Sequence, residues 1–511
     1  MHLGMSKSKN STSLYVLKST YKNGFHSTCI VEKLGTVAEL TEKLNGEDPY
    51  EWAKNYIAEL NKQEKEGKRI VTAKYSPVKQ IEKGDQRTFN GGFLFLEKIY
   101  NMLGLPSLAR ELKKKYNLRF DLNAVLCRMV YGKILYGDTR ESFSDTAKHF
   151  IGEAGFSSED IPAALSILSK EADHIQRVLY ENSRKLTGDN TSTLFYDSTI
   201  CLHDAASSDQ RSLIIPLDIY FDGNMIPIAY TINPDHVEHP SFTFLEETIL
   251  EKYKNVSPVV LSDGGITTGT GSLLSKWETP SHHIVTLHYN QLGETLKEAV
   301  AEETGWKPVH EDPQEDDVLS GYLYKDVPLT MNGTTRRYIL TMSMRRMQEV
   351  RYERERLAVY SHNYHTLQEN TNNFYADSVM AYHTDMDGPT AEQILTLTEL
   401  REDTHNGFRL KTSDYYGSHD IPAEETINAH FITSFIALTV YAAFLKKLNM
   451  FPQSRTIIRQ LQQMTFMKVP TEGYIPLYTR NDLTDLLHDS FGFRTDYQII
   501  SKKQMNQLLS K

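Results

Sequence analysis

Leu194-Phe195-Tyr196-Asp197-Ser198-Thr199 and Val259-Val260-Leu261-Ser262-Asp263 decide the fold. Each is a short apolar run of strand character that ends in an acid, and Gly264-Gly265 follows the second at once. Continuous apolar runs of this length belong to strands buried on both faces of a sheet. Between them, Ile214 to Phe221 and Met225 to Ile232 flank Asp222-Gly223-Asn224, which has hairpin-turn composition. Phe242 to Tyr253 then has helical spacing, with Phe244, Leu245, Ile249 and Leu250 inward. The order strand, hairpin, strand, helix, strand predicts an α/β sheet in which the two acids stand on neighbouring strands.

In open α/β sheets, functional groups gather outside the carboxyl ends of the strands. Asp197 and Asp263 are therefore expected in one crevice. Two carboxylates that close repel unless they share a proton or a cation. Oxygen-only ligands favour Mg²⁺ or Mn²⁺. Two such ions can clamp the attacking and leaving oxygens of an in-line phosphoryl displacement. A structural reading stays open beside this one: Asp197 caps a turn, and Asp263 precedes Gly-Gly, a common place for Asp.

Outward from this region, residues 12 to 35 alternate about Asn23-Gly24 as a hairpin. Residues 36 to 66 follow with Trp52, Tyr56, Ile57 and Leu60 on one helical face, giving a small α+β domain over 1–75. Residues 85–190 read as a helical, possible DNA-binding domain. Phe93, Leu94, Leu96, Ile99 and Leu103 form its first stripe, and Gly104-Leu105-Pro106 ends it. The next helix carries Lys113, Lys114 and Lys115, a basic run that reads either as a DNA contact or as a solvated face. A core over 191–450 includes strands at Ile284 to Leu287 and Arg336 to Met342, then helices over 388–412 and 424–447. Residues 451–511 read as a helical tail.

Composition sets the outer limits. The chain of 511 residues is longer than one average domain, so several folded units are expected. A net charge of −10 weighs against a nucleic-acid binder, yet a local basic face and metal-holding carboxylates are both compatible with it. Cys29, Cys127 and Cys201 are far apart, which excludes a zinc ribbon and fits a reducing cytoplasm. Met1 to Ser13 has no apolar core of a secretory signal, and Phe435 to Phe444 is short for a bilayer, so no membrane is expected. His236, Glu238 and His239 with Asp235 read as a polar loop. His282 and His283 alternate to opposite faces and so do not form one simple site. Arg345 and Arg346, with Arg351, Arg354 and Arg356, line a DNA channel or form a solvated helix.

The chain also resembles bacterial insertion-sequence transposases of the DDE class, in the group whose third acid lies in a Tyr-x-x-Arg-x-x-x-Glu helix. The matching stretches are Leu194 to Thr199, Asp222 to Tyr230 with Asn233-Pro234, Val259 to Ile266, and Phe408-Arg409-Leu410-Lys411-Thr412 with Ile427 to Phe431. The resemblance implies a ribonuclease-H-like core with a β-rich insertion at about 275–385. It implies two Mg²⁺ or Mn²⁺ ions on Asp197 and Asp263, element-end and target DNA as partners, and a homodimer in the active complex. It places Arg401, Arg409 and Lys411 near DNA. At the third acid the chain departs from the family. Anchored on Phe408-Arg409, the family's tyrosine falls on Thr398, its arginine on Arg401 and its glutamate on His405. Three explanations compete: Glu402, one turn earlier on the same face, supplies the carboxylate; His405 ligates, although imidazole suits these ions poorly; or the site is impaired. Glu402 is taken as the third acid. The expected function is strand cleavage and transfer, with an uncut DNA-binding relative as the alternative.

Overall fold

The computed structural model describes the chain apart from residues 9–10, 23–24, 45–47, 68–75, 79, 138–142, 204–212, 233–247, 250, 264–280, 310–320, 332–333, 345, 349, 352–373, 409–423, 450–453 and 510–511. It divides into two units, Met1–Glu82 and Lys83–Lys511.

In the first unit, alternation gives strands β2 (Thr12–Lys22) and β3 (Phe25–Thr36), which pair from Lys22↔Phe25 back to Ser13↔Thr36. Strand β1 (His2–Lys7) adds to β2 on the other side. The reading of the sequence did not anticipate β1, because His-Leu-Gly-Met-Ser-Lys has too few apolar residues to show a period. Leu14 and Val16 are fully buried, and Leu14 clusters with Leu40 of α1 (Val37–Lys43) and Ala53 of α2 (Pro49–Gly67). Thr36 starts α1 with a reciprocal cap: its hydroxyl accepts from Glu39 N, and Glu39 accepts from Thr36 N.

Among the described residues, the second unit opens with β4 (Thr88–Asn90) and five helices of ten residues or more: α3 (Phe93–Met102), α4 (Leu105–Lys115), α5 (Leu122–Tyr136), α6 (Asp160–Lys170) and α7 (Ala172–Thr187). The first stripe is buried as expected, at Phe93, Leu94, Leu96, Ile99 and Leu103. Gly104 breaks the helix in the left-handed region at φ 74°, where a side chain is disfavoured, and Pro106 sits in the first turn of α4.

Nine strands form one mixed sheet. They are β5 (Leu194–His203), β6 (Leu213–Phe221), β7 (Pro227–Ile232), β8 (Pro258–Asp263), β9 (His282–His288), β10 (Lys307–Pro308), β11 (Tyr322–Met331), β12 (Thr334–Ser343) and β13 (Val379–Thr384). Their order is β10-β11-β12-β13-β9-β8-β5-β6-β7. Strands β5, β6 and β7 form an antiparallel meander; β5 with β8, and β8 with β9, are parallel. Asp222 builds the turn after β6 by accepting from Asn224 N and Ile226 N. The expected β-rich insertion makes no separate layer among the described residues. Strands β10 to β13 widen the main sheet, with β13 antiparallel to β9. Most of the expected helix from Phe242 lies outside the described residues.

Two helices follow: α9 (Ala391–Phe408) and α10 (Glu424–Leu448), with α8 (Glu294–Ala301) after β9. Helix α10 is the organising element. It packs on α3, α5, α6, α7, α9 and β7, and Phe431, Phe435, Ile436 and Val440 are fully buried. The apolar segment is longer than Phe435 to Phe444. Ile427–Leu448 has the length and composition to cross a membrane, but 78% of its apolar window lies inside the protein.

The C-terminal residues hold strands as well as helices. After α11 (Ser454–Gln463) come β14 (Thr465–Val469), β15 (Gly473–Pro476), α12 (Asp482–Phe491), β16 (Ile500–Ser501) and α13 (Lys502–Leu509). A four-stranded sheet, β16-β15-β14-β4, ties these residues to the start of the unit. The approach is close: a Cβ on Gly92 would lie 2.1 Å from the Leu461 carbonyl oxygen. Strands of two to five residues are too short for a period to show in the sequence.

Glu97 of α3 lines a small cavity with Leu94, Lys98, Phe491 and Phe493. Burial pushes its carboxyl up to about 7, against the pull of Arg128. A raised acid contributes stability that is complete below its ordinary value of 4.5 and is lost as pH rises through about 7. Glu97→Gln is expected to stabilise the protein by about 2 kcal/mol near pH 8, discounted for partial exposure, and to do nothing near pH 4. Urea midpoints at the two pH values measure this. An equal shift at both would remove the ionisation from the explanation.

Candidate functional site

The backbone brings the two acids together in a specific way. Strand β5 pairs with β8 from Leu194↔Pro258 to Asp197↔Leu261, where the pairing ends. Strand β8 continues beside β9 to Asp263↔Thr286. Asp263 thus ends its strand as expected, whereas Asp197 does not. Strand β5 runs on to His203, paired among the described residues with β6 alone. Ser198 to Leu202 is itself strand-forming, and β6 completes its hydrogen bonding. The two parallel strands therefore part at Asp197. Their neighbours run in opposite directions along the sheet from this point, which is the topological switch of an open α/β sheet. Asp263 follows the register partner of Asp197 by two residues. On a strand of period two this is the same face, with Cα positions about 8 Å apart. The side chain of Asp263 lies outside the described residues.

Asp197 is fully buried, and its Oδ1 accepts from Arg401 Nε at 2.9 Å. Arg401 is itself 5% exposed. A carboxylate removed from water needs such a partner, because an isolated buried charge is strongly disfavoured. Helix α9 presents Arg401 through its buried stripe of Ala391, Ile394, Leu395 and Thr398. Thr398, at the tyrosine position of the resemblance, donates its hydroxyl to the Leu395 carbonyl. Glu402 stands four residues after Thr398, and His405 four after Arg401, so both continue the stripe on the helix backbone. Their side chains lie outside the described residues.

The widened sheet holds α9 in place. Arg337 of β12 forks onto Asp326 of β11 (Nη2–Oδ2 2.6 Å) and donates to the carbonyls of Met386 and Pro389, just before the helix. Tyr322 of β11 donates to Glu399 of the helix at 2.6 Å. These positions were not singled out from the sequence. An arginine in a strand and a tyrosine at a strand start carry no local signal, and their partners come from distant segments.

The basic candidates are dispersed. Lys113 is half-buried and Lys114 exposed in the last turn of α4, while Lys115 binds Glu171 at 2.5 Å. Arg346 N donates to Ser343 Oγ, and Arg351 pairs with Asp377. Arg345, Arg409 and Lys411 lie outside the described residues, as do His236, Glu238 and His239. His282 and His283 each approach Asp385, just past the end of β13: their Nδ1 atoms lie 3.2 and 3.3 Å from its two different oxygens, and the three do not count among the described groups that could hold one cation. This group lies at the amino end of β9, away from Asp263.

A second cluster, Asp485, His488 and Asp496, has ligand atoms close enough to hold a cation. Its chemistry disfavours one. Arg494 Nη2 already contacts both carboxylates, at 2.8 and 2.6 Å, and Arg480 Nε contacts Asp485 at 2.7 Å. His488 Nε2 accepts from Thr495 N, so that lone pair is used. Two guanidinium charges make this an ion-pair network that ties α12 to the following loop.

At Asp197 the donor chemistry is compatible with a divalent ion. It is a hard oxygen ligand in a buried setting, at a strand split shared with a second aspartate position. Arg401 is a competing positive charge there. No family model matches the chain, and no curated protein and no solved structure matches it.

Proposed function

We propose that the chain is a DNA transposase that cleaves and transfers strands at the ends of an insertion element. One observation carries the reading: Asp197 and Asp263 occupy one face of adjacent parallel strands where those strands part, with α9 laid against them through Arg401. The antiparallel meander continued by two parallel strands is also the arrangement that a ribonuclease-H-like core requires, which supports the resemblance. Asp197, Asp263 and Glu402 would hold two Mg²⁺ or Mn²⁺ ions. When bound, the ions supply charge neutralisation at the attacking and leaving oxygens of the phosphoryl group. The protein's part is to fix the carboxylates on rigid strands and the third ligand on a clamped helix.

The alternative is a relative that binds DNA without cutting it. Arg401 on Asp197, and His405 where the family has glutamate, favour it. The two readings separate on purified protein with Mn²⁺ and plasmid carrying the DNA that flanks this coding sequence. Cleavage is expected, and Asp197→Asn and Asp263→Ala are each expected to lower it at least about a hundredfold. Binding without cleavage by the unmodified protein sinks the enzyme reading. Full activity in Glu402→Ala removes Glu402 as third ligand.

A further inference from the structure

We propose that Arg401 is a resident counter-ion of Asp197, and that a divalent cation gains Oδ1 of this carboxylate by displacing the guanidinium. The proposal rests on the metal-centre reading above. Asp197 has no exposed surface, so water does not stabilise its charge, and the Arg401 Nε–Oδ1 contact at 2.9 Å does. An arginine does not lose its proton in any ordinary pH range, so this charge is permanently present. A cation entering at Oδ1 meets a like charge within a few ångströms, in an interior where such repulsion is strong.

The route of displacement is restricted. Helix α9 is held ahead of Arg401 by Arg337 on the Met386 and Pro389 carbonyls, and on its length by Tyr322 on Glu399. A shift of the whole helix breaks both clamps. A rotation of the Arg401 side chain leaves both in place. Cation affinity is then the difference between two electrostatic partners of one carboxylate. The site fills only above a threshold concentration that Arg401 sets. It also remains charge-balanced, and so folded, when no ion is bound.

The test is Mn²⁺ titration by calorimetry, with thermal midpoints in chelator and in Mn²⁺, on the full chain and on Arg401→Gln and Arg401→Lys. Arg401→Gln is expected to be less stable in chelator, to bind Mn²⁺ roughly tenfold or more tightly than the unmodified protein, and to regain stability with the ion. Arg401→Lys, which keeps a charge but loses the Nε donor, is expected to fall between. Binding by the unmodified protein with no gain in Arg401→Gln overturns the proposal and leaves the metal centre standing. No binding by any of the three overturns both. Should Arg401→Gln not fold, the unmodified protein itself reports. With ¹⁵N-labelled arginine, the Arg401 Nε–H signal, assigned by its loss in Arg401→Lys, is expected to shift as Mg²⁺ saturates the site. A signal unchanged at saturation overturns the displacement.

Discussion

Asp197→Ala is expected to lower the unfolding free energy of the Lys83–Lys511 unit by about 3–5 kcal/mol, the range for breaking one side of a buried ion pair. The loss is not that of one hydrogen bond. Arg401 is 5% exposed, and deleting its partner leaves a guanidinium inside the protein. Asp197→Asn retains an acceptor oxygen and is expected to cost less, about 1–3 kcal/mol. Replacing both partners by apolar residues, as in Asp197→Leu with Arg401→Met, removes the stranded charge and is expected to recover much of the stability. Because the pair is buried, added salt screens it little. Urea denaturation at two salt concentrations measures all of this. An alanine variant within about 1 kcal/mol of the parent would mean that the pair is solvated or unformed.

Phe435→Ala is expected to cost about 3–5 kcal/mol, the range for deleting a core aromatic. The ring is fully buried and sits 5.2 Å from that of Tyr230 on β7. The helix that carries it also packs on α3, α5, α6 and α7. Weakening this one position is therefore expected to loosen the helical region and the large sheet together. Hydrogen exchange read by fragment tests it: faster exchange in both β6–β7 and α5–α7 is expected. Acceleration confined to one of them would show that the helices and the sheet are separate cooperative units.

Sequence reading reached the strands of the candidate site because strong local signals mark them. Apolar runs, an Asp-Gly-Asn turn and an acid at a strand end are properties of adjacent residues. The Gly104 stop and the α3 stripe were legible for the same reason. What escaped depends on distance along the chain. Strand β5 continues past Asp197 because β6 pairs with it; Ser198 to Leu202 has strand composition, but the pairing that extends the strand comes from another segment. The contact of Arg401 with Asp197 joins residues 204 positions apart, which no local signal names. Of the short strands β14 to β16, β14 pairs with β4 from the start of the unit, and β15 and β16 add beyond it. The contact of His282 and His283 with Asp385 likewise joins residues about a hundred positions apart, which no property of their own strand announces.

Strand β10 is two residues long, pairs among the described residues only with β11, and consists of Lys307 and Pro308, both exposed. Pro308 has no amide hydrogen to offer, and a lysine cannot enter a sheet-to-sheet contact without burying its charge. The other border, β7, is buried at every residue. A sheet of nine strands would otherwise present a long row of open amides and carbonyls to a second molecule. Here one margin lies inside the protein, and at the other β10 covers only Leu323 and Tyr324 of β11, beyond which Lys325, Asp326 and Pro328 put charge and a missing amide hydrogen on the edge and so disfavour pairing with a second copy.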